Sequence, residues 1–103
     1  MPIYVDDSFI PYKSKRGRIY KMSHMIADTP DELFEFALKL GLKMDWFQPK
    51  SFPHFDVTKT VRTKAIKNGA ESLTTRELVE KIKILRTKSP YNEKFGNNPK
   101  LKS

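Results

Sequence analysis

Cysteine is absent from this 103-residue chain. Disulfide frameworks, thiolate nucleophiles and Cys-based zinc or iron–sulfur sites are thereby excluded together. Four glycines are too few for a Gly-rich phosphate cradle. No Walker loop, Gly-x-Gly-x-x-Gly or zinc-finger spacing occurs. No apolar run approaches the roughly 18–20 residues that span a bilayer. The first residues, Met1 to Asp7, carry neither a basic region nor a long apolar stretch, so a secretory signal is not expected. A soluble, cytoplasmic protein without a membrane partner is the expectation. Acids are the scarce charge, with 12 Asp and Glu against 20 Lys and Arg, for a formal net charge of +8.

What is present is enough for one domain and one real core. Hydrophobic residues are 38 % of the chain, and one Trp, four Tyr and seven Phe argue against disorder. The positive charge is patchy. Residues 13–21 carry Lys13, Lys15, Arg16, Arg18 and Lys21 and no acid. Residues 48–69 carry Lys50, Lys59, Arg62, Lys64 and Lys67 against Asp56 alone. Such patches suit a polyanion, because phosphate contacts release counterions. A solvated, solubilising surface is the competing reading, since the 15 Lys far outnumber the 5 Arg and Arg is the better phosphate fork.

Three helices are predicted. Thr29-Pro30-Asp31-Glu32 is a capped start with proline at the first helical position. Leu33, Phe36, Ala37 and Leu40 then form one apolar stripe, widened by Phe34 and Leu38, and Gly41 supplies the stop. Thr74-Thr75-Arg76-Glu77 repeats the start signal, with Leu78, Val79, Ile82 and Leu85 on one face. A middle helix over about 59–68 has a narrow apolar face of Val61, Ala65 and Ile66 and a broad basic one. Strands are predicted at 3–5, 18–25, 46–48, 54–57 and 72–73. Interleaved strands and helices give an α/β fold, a single compact domain over 1–88 with a small mixed, partly parallel sheet covered by about three helices. Residues 89–103 read as a flexible basic tail.

Titratable residues gather near the strands. Asp6 and Asp7 follow the first, Ser23 and His24 end the second, Trp46 and Gln48 lie in the third, and His54 and Asp56 lie in the fourth. If the strands run parallel, these groups meet at one rim beyond the carboxyl ends. If the first two strands form a hairpin instead, Asp6 and Asp7 part from His24. His54 and Asp56, two apart, share a face of a strand, a spacing that suits an acid–base pair or two metal ligands. Paired carboxylates such as Asp6 and Asp7 suit Mg²⁺ or Mn²⁺. Thr58, Lys59 and Arg62 stand at the start of the middle helix, where free amides and positive charge favour phosphate. Ser23, Trp46 and Gln48 are candidate ligand contacts. Each has a plainer role available: turn chemistry for the acids, a backbone-bonded His24, core packing for Trp46.

The blocks Tyr4-Val5-Asp6-Asp7, Met22-Ser23-His24-Met25-Ile26-Ala27-Asp28-Thr29, Gly41-Leu42 with Trp46-Phe47-Gln48, His54-Phe55-Asp56-Val57-Thr58 and Ala65-Ile66-Lys67-Asn68-Gly69-Ala70 resemble domain-of-unknown-function family 4031, over roughly residues 1–87. Phe55 stands where the family pattern has Tyr. The resemblance implies a compact α/β domain of a bacterium or tailed phage, in a cytoplasmic setting, and implies no activity.

The function expected from the residues is hydrolysis or acid–base chemistry on a phosphate-bearing ligand, a nucleotide or nucleic acid, as in a nuclease-like phosphodiesterase. His54 would be general base or metal ligand, Asp56 would orient it, and His24, Asp6 and Asp7 would complete the acid or metal set. Two rivals predict otherwise: a non-catalytic nucleic-acid binder using residues 13–21 and the tail, and a module that docks on a host protein through Tyr4, Tyr20, Trp46 or Phe47.

Overall fold

Threonine hydroxyls open all three helices by accepting an otherwise unpaired amide. In the computed structural model, which describes residues 2–93, α1 (Pro30–Lys39) begins with Thr29 Oγ1 accepting from the Glu32 amide. α2 (Lys59–Lys67) begins with Thr58 accepting from Val61. α3 (Thr75–Leu85) has a complete capping box between Thr74 and Glu77. Gly41, at φ 86°, takes the left-handed conformation that stops α1.

The strands are β1 (Ile3–Val5), β2 (Ile10–Lys13), β3 (Ile19–Ala27), β4 (Phe47–Gln48), β5 (His54–Thr58) and β6 (Glu71–Ser72). They form one sheet in the order β4-β5-β3-β1-β6, with β2 also on β3. Only β1 and β6 are parallel; every other pairing is antiparallel. The sheet is therefore mixed, as the α/β pattern predicts, but the first two predicted strands are antiparallel.

β3 organises the rest. On one edge it pairs with β5; on the other it pairs with β1 and then β2, end to end. Between Val5↔Met25 and Ile10↔Met22, residues 6–9 stand opposite Ser23 and His24 alone. This surplus makes a bulge. Phe9 takes a positive φ of 45° there, and its ring lies under Lys59 and Arg62. β2 is a strand that the sequence does not announce, because Pro11 and the basic run after it read as a connecting loop. Past β2, Lys15-Arg16-Gly17 turns the chain back, with Gly17 N–H donating to Ser14 O and Gly17 at φ 86°.

Alternation along the strands separates two faces. Ile3, Val5, Met25, Ala27, Phe55 and Val57 face Leu33, Phe36 and Ala37 of α1 and Ala65 of α2. Tyr4 and Ile26 face Leu78 and Leu85 of α3, with Phe52 and Tyr91. α3 covers one end of this second face. The breadth of the predicted stripes needs correction: Leu38, Val79 and Ile66 are 61 %, 46 % and 37 % exposed. No helix among the described residues is long and apolar enough to cross a membrane.

The packed body extends past the predicted boundary at 88. Tyr91 is buried, its ring 4.4 Å from Phe52 and its hydroxyl donating to Ala27 O at 2.8 Å. Burial pushes its phenol far above the ordinary range, with the charges of Asp28 and Glu32 adding to the rise. The rest of the predicted tail, from 94 onward, lies outside the described residues. Tyr91→Ala is expected to cost about 3–5 kcal/mol in urea unfolding, as for other buried aromatics. A loss under about 1 kcal/mol would contradict this packing.

Candidate functional site

The bulge and the register of β3 bring four titratable side chains together on the second sheet face. Asp6 stands opposite His24, donating its amide to His24 O at 3.1 Å. His24 stands opposite Asp56 across β3 and β5, and His54 precedes Asp56 by two residues on the same face. The grouping thus arises in the middle of an antiparallel sheet face. The expectation of a rim at parallel strand ends is overturned, and so is the expectation that antiparallel strands would part Asp6 from His24. β3 is long enough to place His24 in its body rather than at its tip.

Asp6 is fully buried, so its carboxylate must be satisfied internally. Oδ1 accepts from the His24 amide at 2.9 Å, the Ser8 amide at 3.2 Å and the Ser8 hydroxyl at 2.9 Å. Oδ2 lies 2.8 Å from His24 Nδ1. The His54 Nδ1 lies 2.7 Å from Phe52 O, a carbonyl that can only accept. Both imidazoles are thereby fixed through Nδ1, and both turn Nε2 toward Asp56 Oδ1, at 4.0 Å from His24 and 3.5 Å from His54. The ring centroids are 5.4 Å apart, edge to face. One ring nitrogen of each histidine and a carboxylate oxygen of Asp56 all lie within 4.8 Å of one another. A cavity of about 230 Å³ between α3 and the sheet reaches Asp6, His24 and His54, with Phe52, Leu78 and Ile82 on its apolar side.

Electrostatics bind the inner pair. The hydrogen bond to Asp6 raises the His24 pKa above 6.5; burial opposes it, and the charges of Asp6 and Asp56 add to the rise. Burial alone would push the Asp6 carboxyl up, but its bonds from the His24 ring, the His24 and Ser8 amides and the Ser8 hydroxyl outweigh that and hold it below 3.8.

Other predicted site residues go elsewhere. Asp7 faces α3, accepting from the Thr75 amide at 2.9 Å and hydroxyl at 3.2 Å, so Asp6 and Asp7 do not form a paired-carboxylate metal site. Ser23 alternates to the α1/α2 face, where it is 1 % exposed and Oγ has no hydrogen-bond partner; it is not a ligand contact on the site face. Asp28 accepts from the Tyr4 hydroxyl at 2.9 Å. Burial, then Asp28 itself, raises that phenol to about 12. Of the expected phosphate set, Thr58 is engaged as the α2 cap, and Lys59 Nζ lies 5.8 Å from the Phe9 ring centroid. Arg62 donates Nε to Asp6 O at 2.7 Å and Nη2 to Ser72 Oγ at 2.8 Å. It clamps the ends of β1 and β6 rather than standing free for a phosphate. Trp46 and Gln48 border a separate groove that also reaches Asp56. Sequence reasoning missed Ser8 and the Phe52 carbonyl. Asp6-Asp7-Ser8 carries an Asx-turn signal that could have found the first; nothing local marks the second.

These features define a small mixed α/β domain with a two-histidine, one-aspartate cluster on an open sheet face, backed by a buried carboxylate. The chain belongs to the family described as Protein of unknown function (DUF4031), whose model matches residues 3–85. No curated protein and no solved structure matches it.

Two outcomes follow from this wiring. With its raised folded pKa, His24 contributes stability that is whole below 6.5 and lost as pH rises through the folded value; with its lowered pKa, Asp6 contributes stability that is present above 3.8 and lost as pH falls through its folded value. In chelator-treated protein, NMR should therefore show His24 titrating above 6.5, and Asp6→Asn should bring it down; a wild-type midpoint at or below 6.5 would contradict the pairing. Arg62→Ala should cost about 2 kcal/mol by denaturant unfolding, the range for hydrogen bonds from a charged donor. Lys at 62 should not restore it, because one ammonium cannot replace the guanidinium fork. Full stability in either variant would rule out the clamp.

Proposed function

We propose that the protein is a divalent-metal-dependent hydrolase acting on a phosphate-bearing ligand, in the cytoplasm of a bacterium or a phage-infected cell. The observation that carries this reading is the convergence of one ring nitrogen each of His24 and His54 and one Asp56 carboxylate oxygen within 4.8 Å, with both Nε2 atoms turned toward Asp56 Oδ1. Imidazole nitrogens favour Zn²⁺ or Fe²⁺, whereas Mg²⁺ and Mn²⁺ suit oxygen ligands. Of the two ions expected from sequence, Mn²⁺, as the transition metal, is the better fit. Three protein ligands, rather than four, are the pattern of catalytic sites that leave a position for water or substrate. When bound, such a cation lowers the pKa of a water and polarises a phosphoryl oxygen.

The chain's own residues supply the preparation. Asp6 accepts from His24 Nδ1 and Phe52 O from His54 Nδ1, which leaves each Nε2 lone pair facing the cluster. Such outer partners fix ring orientation and raise ligand basicity. The excess of positive charge over the molecule, +8, supports an anionic substrate.

Calorimetric titration of chelator-stripped protein with Zn²⁺ and Mn²⁺ should show one ion per chain. His54→Ala should abolish binding. Asp6→Asn should weaken it about 10–100-fold through the second sphere. Bis-(p-nitrophenyl) phosphate should be hydrolysed with the ion and not by His54→Ala. Absence of ion binding, or binding unchanged in His54→Ala, would refute the reading.

A further inference from the structure

Next to the two-histidine cluster a larger hollow begins at Asp56 and extends to Leu42, Val57 and Val61 of the core against α1 and α2. A groove of about 520 Å³ is lined by Tyr12, Tyr20, Met22, Trp46, Gln48 and Asp56, among others. The register explains its make-up. Tyr12 stands directly opposite Tyr20, and Tyr20, Met22 and His24 alternate onto one face of β3. Gln48 stands opposite His54. Groove and cluster therefore meet at Asp56.

Three features set this groove apart from an ordinary surface. First, two of its rings are uncovered, Trp46 at 49 % and Tyr12 at 55 % exposure, and Tyr20 is half-buried. Second, cations rest on them. The Arg18 guanidinium lies 5.4 Å from the Tyr20 ring centroid, and Lys43 Nζ lies 5.7 Å from that of Trp46. Third, the β2–β3 hairpin beside it is basic throughout. Lys13, Lys15, Arg16, Arg18 and Lys21 are all exposed, and none is in an ion pair among the described residues. Asp45 and Asp56 also border the groove. They repel phosphate from their own end until a cation offsets the Asp56 charge, which leaves the hairpin side as the backbone path in the ion-free protein.

Flat rings, Tyr20 and Trp46 each with a cation over one face, match a strand of nucleotides whose bases are unpaired and stack on the other. Each base has a π-face that stacks on an aromatic side chain whatever its sequence, while the backbone follows the positive charge. A duplex hides those faces between neighbouring pairs. We infer that single-stranded nucleic acid lies in this groove, bases on Tyr12, Tyr20 and Trp46 and phosphates along the β2–β3 hairpin, with a phosphodiester carried past Asp56 to the histidines. This deepens the hydrolase reading by naming its substrate class, although binding in the groove requires no cation.

The test is fluorescence anisotropy with labelled oligothymidine, oligouridine and a duplex of equal length, in chelator. Either single strand should bind more tightly than the duplex; the two single-strand arms decide between DNA and RNA. Tyr12→Ala/Tyr20→Ala and Trp46→Ala should each weaken binding roughly tenfold or more, in line with base–aromatic stacking. Lys15→Glu/Arg16→Glu should weaken it and flatten the salt dependence by about 0.7 in log–log slope per lost phosphate contact. Lys83→Ala, on the exposed side of α3 and away from the groove, should bind as wild type does. Tyr12, Lys15, Arg16 and Trp46 are exposed and Tyr20 is half-buried, and circular dichroism checks that each variant folds. No binding, tighter binding to duplex, or aromatic variants equal to wild type would overturn the inference. So would sedimentation showing that the exposed hairpin, with Ile10 and Ile19 50 % and 62 % exposed, is instead covered by a second copy. A failed metal titration with oligonucleotide binding intact would strike only the hydrolase reading; the reverse would strike only the groove.

Discussion

A buried carboxylate has to find hydrogen-bond donors, and in this protein that requirement shapes the centre of the molecule. Asp6 takes four contacts, three of them from the backbone amides of His24 and Ser8 and the Ser8 hydroxyl, and the fourth from an imidazole. Those contacts fix the register of β1 on β3, close the bulge at residues 6–9 and lock the His24 ring. Arg62 secures the same corner from outside through the Asp6 carbonyl. Replace the carboxylate and the strand edge, the bulge and the ring all lose their common anchor.

The consequence is an economical division of one sheet. One face is apolar and closed by α1 and α2. The other is closed by α3 only over Tyr4 and Ile26, and from His24 toward Tyr20 it stays open. The cluster sits at the boundary between the covered and open parts. The smaller cavity flanks it under α3, and the aromatic groove flanks it on the other side. Side chains that need burial for their electrostatics and side chains that need access for a partner are thus a few ångströms apart.

How much of this was legible in the chain depends on how local each signal is. Thr29-Pro30 and Thr74 to Glu77 mark helix starts within four residues, and both helices begin there. The spacing of His54 and Asp56 guarantees a shared face on any strand. Asp6 meeting His24 was not legible, because it depends on a bulge whose surplus residues show only against the partner strand. The alternation along β3 that puts His24 on the site face puts Ser23 on the opposite one, and Asp7, past the end of β1, turns to the start of α3 instead, so adjacent residues chosen as pairs could not both serve. Arg62 carries no local sign of its role: its partner at Asp6 is 56 positions away. The α/β class and mixed sheet were readable from the alternation of strands and helices. The direction of β1 against β3 was not, since the intervening residues fit either a crossover or a hairpin.

The central claim is that two imidazoles and one carboxylate, held from behind by Asp6 and the Phe52 carbonyl, form a site for a single divalent cation. Anomalous diffraction from crystals grown with Mn²⁺ tests it most directly. The account predicts one strong peak in bonding contact with Nε2 of His24, Nε2 of His54 and the Asp56 carboxylate. Ions found only elsewhere, or histidine rings turned so that Nδ1 faces Asp56, would contradict it.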